Sequence, residues 1–107
     1  MYQLIYMTFP EKEQAITIAR RLVEQRLVAG VNIIPQAHSF YRWHDELKEA
    51  DETIVFAQAT SSMLPEIEKA VCEWHPHEVP CIITLPVTCG LPSFLAWIAA
   101  NCGNASQ

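Results

Sequence analysis

The stretch Cys72-Glu73-Trp74-His75-Pro76-His77-Glu78-Val79-Pro80-Cys81 gathers two thiols, two imidazoles and two carboxylates. Thiolates and imidazoles are ligands for Cu(I) and Zn(II) rather than for Mg(II) or Ca(II), so metal binding is the first chemistry to weigh. Cys72 and His75 stand one helical turn apart, where residues i and i+3 are neighbours and can touch one soft ion. His75 and His77 straddle Pro76, so a turn separates their rings. No C-x₂₋₄-C or H-x₃₋₅-H pair is present, and a complete site would need donors from a neighbouring subunit. Nucleophilic catalysis is the second chemistry: Cys81 or Cys89 could pair with His75 or His77 as thiolate and imidazole. No oxyanion loop accompanies such a pair, and Cys72 and Cys102 fall at or near apolar helical stripes as small core residues. Three glycines, each beside a helix end or start, cannot build a phosphate loop. The expectation is therefore no catalytic site. The stretch reads first as a helix stop and a strand start, with Trp74 in the core and His75 forced out of the α region by Pro76.

The elements that must hold this stretch follow from periodicity. Residues 2–9 read as a strand, and Thr8-Phe9-Pro10-Glu11 fits a capping box for the next helix. Ala15, Ile18, Ala19, Leu22, Val23 and Leu27 keep a 3.6-residue period, with Gly30 as the stop. A long strand runs from Val31 to Trp43, with Val31, Ile33, Ala37 and Tyr41 on one parity and Pro35 marking an edge or bulge. Residues 44–52 (HDELKEADE) read as an exposed polar turn, and 53–60 as the return strand. Ser61 or Ser62 caps a second helix with the stripe Met63, Leu64, Ile67, Ala70, Val71 and Trp74. Residues 81–88 form a fourth strand. Gly90-Leu91-Pro92 opens a third helix with Phe94, Leu95, Ile98 and Cys102 inward and Gly103 beyond its end. The fold class is α+β: one domain over 1–107, ferredoxin-like βαββαβ with a C-terminal helix.

Half of the residues are hydrophobic, high for a chain this short, and several strands are apolar on both faces. Such a surface calls for other subunits. Tyr41 and Trp43 are the expected interface aromatics; His38 and His44, on the other parity, are expected in solvent. A net charge of −5 argues against nucleic-acid and anionic-membrane partners. No apolar run approaches the ~20 residues of a membrane span. No export signal is evident, so the expected compartment is the cytoplasm and the expected state of the four cysteines is the free thiol.

The segments VNIIP, SFYRW and HPHEVPCIITLPVTCGLPSFLAWI carry a resemblance. With Asn32, Pro35, Tyr41, Trp43, His75-Pro76, Glu78, Pro80, Pro86, Gly90, Leu95 and Trp97 in register from about residue 3 to 98, the chain resembles the CutA, or divalent-cation tolerance, family. The resemblance implies a tight homotrimer whose long hairpins bind neighbouring sheets, an architecture similar to the PII signalling proteins. It also implies a link to copper and other divalent metals without a settled biochemical activity. The copper site proposed in the family falls at Met7, Trp74 and His75. Only His75 matches outright, and the Met7 thioether could complete a soft Cu(I) site with it, so these two are the candidate metal residues. Gln58, Cys81, Asp45, Gly30 and His77 depart from the family's usual lysine, acid, glycine, cysteine and aromatic. Two functions follow: a non-catalytic, metal-associated trimer, or a PII-like trimeric sensor or scaffold with a small ligand in its subunit clefts and a protein partner on its hairpin.

Overall fold

The apolar segment Tyr2–Phe9, β1, pairs with a strand on each side and so lies inside the sheet, with Ile5, Met7 and Phe9 buried. The computed structural model describes residues 1–103. After β1 come α1 (Lys12–Glu24), β2 (Gly30–Trp43), β3 (Glu46–Thr60), a 3₁₀ turn (Ser61–Met63), α2 (Leu64–Trp74), β4 (Ile82–Pro86) and α3 (Pro92–Asn101). The four strands pair antiparallel in the order β2-β3-β1-β4. This is the expected βαββαβ succession with a terminal helix, a mixed α+β fold.

One face of the sheet supplies Ile5, Met7, Phe9, Val55, Ala57 and Ala59 to the core. Against them pack Ala15, Ile18 and Leu22 of α1, Ile67 and Val71 of α2, and Ile98 of α3. Full burial of each large apolar side chain contributes roughly 1.5–3 kcal/mol. Strand side chains alternate, so Leu4, Tyr6, Ile34, Ile54, Phe56, Ile83 and Leu85 share the opposite face. Ile34, Ile83 and Leu85 there are 48%, 57% and 45% exposed. The two-sided apolarity of the strands thus corresponds to a real apolar surface on the single chain.

Several local expectations are corrected. The capping box does not form: α1 begins at Lys12 without a side-chain cap, and Thr8 stays in β1 opposite Ile54. The ladder claims Thr8 before a helix can. Nor does Gly30 end α1. The helix stops at Glu24, and Arg26 takes the left-handed conformation (φ 59°) that follows it. Gly30 instead opens β2, where a Cβ would lie 3.0 Å from Gln58 Oε1 and 3.2 Å from Trp97 Cη2. Neither serine caps α2, because Ser61 Oγ bonds the amino terminus and Gln3, and Ser62 pairs with Thr60.

The polar segment 44–52 is mostly strand. Only His44 and Asp45 turn, both left-handed (φ 51° and 63°), the conformation short hairpin turns require and aspartate tolerates. Pro35 does mark a bulge, between Ile34 and Ala37, with Gln36 at φ 68°. The extra residue reverses parity. Val31 and Ile33 face the helices, whereas Ala37 and Tyr41 pair with Glu52 and Lys48 and so lie on the other face. β4 is shorter than expected, Phe94 is 47% exposed, and Cys102 is buried just past the end of α3.

Candidate functional site

Beyond the bulge, β2 and β3 run out as a long hairpin. Its face bearing Ser39, Tyr41, Trp43 and Glu52 stands over Tyr6 and Thr8 of β1, while Pro76–Cys81 closes the other side. These segments line a cleft of ≈ 610 Å³. The reactive stretch that opens the sequence problem therefore divides in two. Cys72 to His75 ends α2, and Pro76 to Cys81 forms a wall.

His75 is the pivot between them. Its backbone (φ −75°, ψ 139°) has left the α region ahead of Pro76, as expected. The residue is 7% exposed, and its ring stacks on Phe9 at 4.7 Å and 23°. Nε2–H donates to the Thr8 carbonyl at 2.7 Å, and Nδ1 accepts the His77 backbone N–H at 3.1 Å. These partners assign the tautomer. Burial pushes the His75 pKa below 6.5; the Thr8 carbonyl opposes this, His77 adds to it, and Glu52 opposes it.

Met7, the second candidate metal residue, is fully buried on the helix face of β1, opposite Val55 and Ile82. A metal on His75 would have to release one ring nitrogen from its present partner. Cys72 is exposed while His75 is buried. Among the described residues no group of three or more His, Cys, Asp or Glu side chains is placed to hold a metal ion. The donors of one chain thus do not fit a complete metal cage. Cys81 and Cys89 are exposed thiols; buried Cys102 donates to the Leu27 carbonyl and accepts from Thr60 N–H.

In the cleft, burial first, then Cys81 and Glu52, push the Tyr6 phenol above its usual pKa. It keeps its proton and can donate. Tyr41 and Trp43 are 45% and 40% exposed. His38 is not simply solvated: on the opposite hairpin face it bonds Asp51 and Glu49, which raise its pKa. Tyr6 and Glu52 are the cleft residues that sequence reasoning missed. Glu52 was hidden because 44–52 reads as a turn; with a two-residue turn at His44-Asp45, it must pair back beside Ala37.

The sheet order, helix placement and hairpin define an α+β fold of a recognisable class. Residues 3–101 match the family described as CutA1 divalent ion tolerance protein. The chain is 39% identical over 103 residues to the divalent-cation tolerance protein CutA of Thermus thermophilus, covering 96% of this chain and all of that one. The solved structure of the Thermus protein superposes with a TM-score of 0.94 over the same shares. A structure named as the periplasmic CutA of Archaeoglobus fulgidus gives a TM-score of 0.91 at 37% identity, covering 94% of this chain and 98% of that one. A relative named chloroplastic CutA, from Arabidopsis thaliana, is 30% identical over 101 residues, 94% of this chain; the chain spans 56% of its length. This chain belongs to the CutA1 divalent ion tolerance family. Membership alone does not assign the cytoplasm, since relatives carry periplasmic and chloroplastic names. No helix among the described residues is long and apolar enough to cross a membrane.

Proposed function

We propose that this chain, one domain over 1–107, acts as a cytoplasmic homotrimer in tolerance of divalent cations, copper among them, without catalysing a reaction. The observation that carries the reading is the apolar sheet face with its projecting hairpin. Ile34, Ile83 and Leu85 on that face, and Tyr41, Trp43, Phe40 and Leu47 on the hairpin, are all at least 40% exposed in the single chain. Copies of the chain are the simplest cover for so much apolar surface. Copper at His75 and Met7 would compete with the bonds that hold His75. Donors that each chain already exposes, such as Cys81 and His77, carry no such penalty and could be completed by a neighbouring subunit. The test is light scattering together with elemental analysis of untagged protein. The expected result is three times the 12.1 kDa chain mass and a stoichiometric ion that a chelator removes. A stable monomer at micromolar concentration overturns the assembly, and a metal-free trimer overturns the metal reading.

One observation favours a second reading, a small-ligand sensor or scaffold. The cleft of ≈ 610 Å³ is of small-molecule size and mixes aromatic walls with a few polar groups.

A further inference from the structure

Beyond Phe9, which pairs with Thr53, β3 has no β1 beside it, and the hairpin continues as two strands alone. The bulge between Ile34 and Ala37, with Gln36 left-handed at φ 68°, interrupts the ladder at the same level. The root of the hairpin thus lacks both a third strand and an unbroken ladder. His38 stands there, in the second pair beyond the bulge, directly opposite Asp51 and diagonal to Glu49. The Phe40 ring packs against it at 5.1 Å and 75°. Its Nδ1 lies 3.0 Å from Asp51 Oδ1, and its Nε2 bonds Glu49 Oε2. A neutral imidazole carries one N–H and can donate to only one of these carboxylates, whereas the imidazolium donates to both. With the ring neutral, one carboxylate faces a nitrogen lone pair and two anionic groups lie together without a cation. Arg42, on the same face of β2, pairs with neither of them. Lys12, at the start of α1, lines the pocket beside Asp51 and makes no ion pair among the described residues. Lys48 is taken by Glu46, and Glu52 lies on the opposite face. His38, Glu49 and Asp51 meet across paired strands of one chain, so the arrangement needs no neighbouring copy.

We propose that His38 is a proton-operated clamp at the root of the hairpin: the protonated ring ties β2 to β3 through both carboxylates, and its deprotonation loosens the ribbon. The clamp is independent of the metal and small-ligand readings. The bond to Asp51 first, then that to Glu49, holds the ring's pKa above 6.5, with desolvation opposing them. Between 6.5 and that raised value the folded chain binds more protons than the unfolded one. The clamp is therefore whole below pH 6.5 and is lost as pH rises through the folded value. Buried His75 has the opposite sense, since its pKa is lowered.

The test uses the full chain, assembled as purified, at a series of pH values on either side of 6.5. The His38 ring is titrated by NMR, its signal assigned through bonds. It is expected to titrate above 6.5 and to fall back towards that value in a Glu49→Gln, Asp51→Asn double variant. Amide exchange of residues 37–51 is then compared between wild type and His38→Gln at each pH, which cancels the intrinsic pH dependence of exchange. Below pH 6.5 the wild-type hairpin is expected to be better protected by about two- to fivefold, the range for exposed ion pairs. That excess should vanish as pH rises through the pKa of the ring. A ring that titrates at or below 6.5 in the assembled protein overturns the proposal, whether the carboxylates fail to hold it or a neighbour's cation displaces it. So does a protection ratio that stays flat with pH, because His38 would then contribute only its bulk. The ring titration on the wild type decides the matter even if the variants fold poorly.

Discussion

His75 stands where the last turn of α2 meets the cleft wall, and its ring has no spare hydrogen-bonding capacity. A neutral imidazole has one donor and one acceptor, and here Thr8 takes the first and the His77 N–H uses the second. A second proton would sit on Nδ1, facing the hydrogen of His77. Burial favours the neutral ring, so the folded pKa lies below the 6.5 of the unfolded chain. The sign follows: between those two values the unfolded chain binds more protons, so stability falls as pH falls. The contribution of the neutral ring is whole above pH 6.5 and is lost as pH drops through the folded value. His75→Asn should lower stability by about 1–3 kcal/mol, the range for leaving a buried partner unsatisfied. Its melting temperature should also vary less with pH below 6.5 than that of the wild type. Cu(I) and Zn(II) affinity, measured against a competing chelator, should barely change. A loss of orders of magnitude would instead assign the ring to a metal, since even changes around a ligand shell cost about 10–100-fold. The exit from the helix at His75 is legible from Pro76 next door. Its partner is not, because Thr8 lies 67 residues away and only the packing of α2 on β1 brings them together.

Element types were legible because periodicity reports them, while boundaries depended on partners distant in sequence. The long strand and its bulge followed from Val31 to Trp43 and Pro35. The reversal of parity did not, since a proline marks a bulge without saying how many residues it adds. The end of α1 shows the same limit. Gly30 looked like the stop by residue type, yet the close approach of Trp97 from α3 is what makes glycine suitable there. The left-handed position falls to Arg26, which does more than turn the chain. Its Nε donates to the Gly103 carbonyl at 2.7 Å and its Nη2 to the Ala100 carbonyl at 2.8 Å. Its own carbonyl accepts Gly103 N–H at 2.7 Å. The last turn of α3 has no basic residue of its own, so Arg26 supplies the cation that satisfies its final carbonyls. Arg26→Met keeps the stem and removes the donors. It should destabilise by about 1.5 kcal/mol, the low end for hydrogen bonds from a charged group, because the contact is partly exposed. Amide exchange should accelerate in α3 and not in α1. Uniform acceleration across both helices, or none, would mean that Arg26 does not fasten the terminal helix.

At the scale of the molecule, the single chain is longer than its core requires. Its extents are 46 × 26 × 21 Å and its radius of gyration is 14.4 Å, against about 13 Å for an ordinary domain of this length. The excess is the hairpin, which carries Tyr41 and Trp43 out near the turn at His44-Asp45. An isolated two-stranded ribbon is marginal in water, so this one needs a surface to lie on. In the proposed trimer that surface belongs to the neighbours, and Trp43 is the largest side chain available to anchor it. Trp43 is 40% exposed and lies outside the buried core, so Trp43→Ala should leave secondary structure intact. Truncating an aromatic interface anchor typically costs about 2 kcal/mol or more. A closed three-fold ring repeats that loss at each of its interfaces. Sedimentation across a dilution series should therefore show the variant dissociating at concentrations where the wild type stays assembled, and its melting temperature should become concentration-dependent. If Trp43→Ala remained as trimeric and as heat-resistant as the wild type, Trp43 would belong to solvent or to the cleft. The cover for the apolar face would then have to come from a contact that does not use the hairpin.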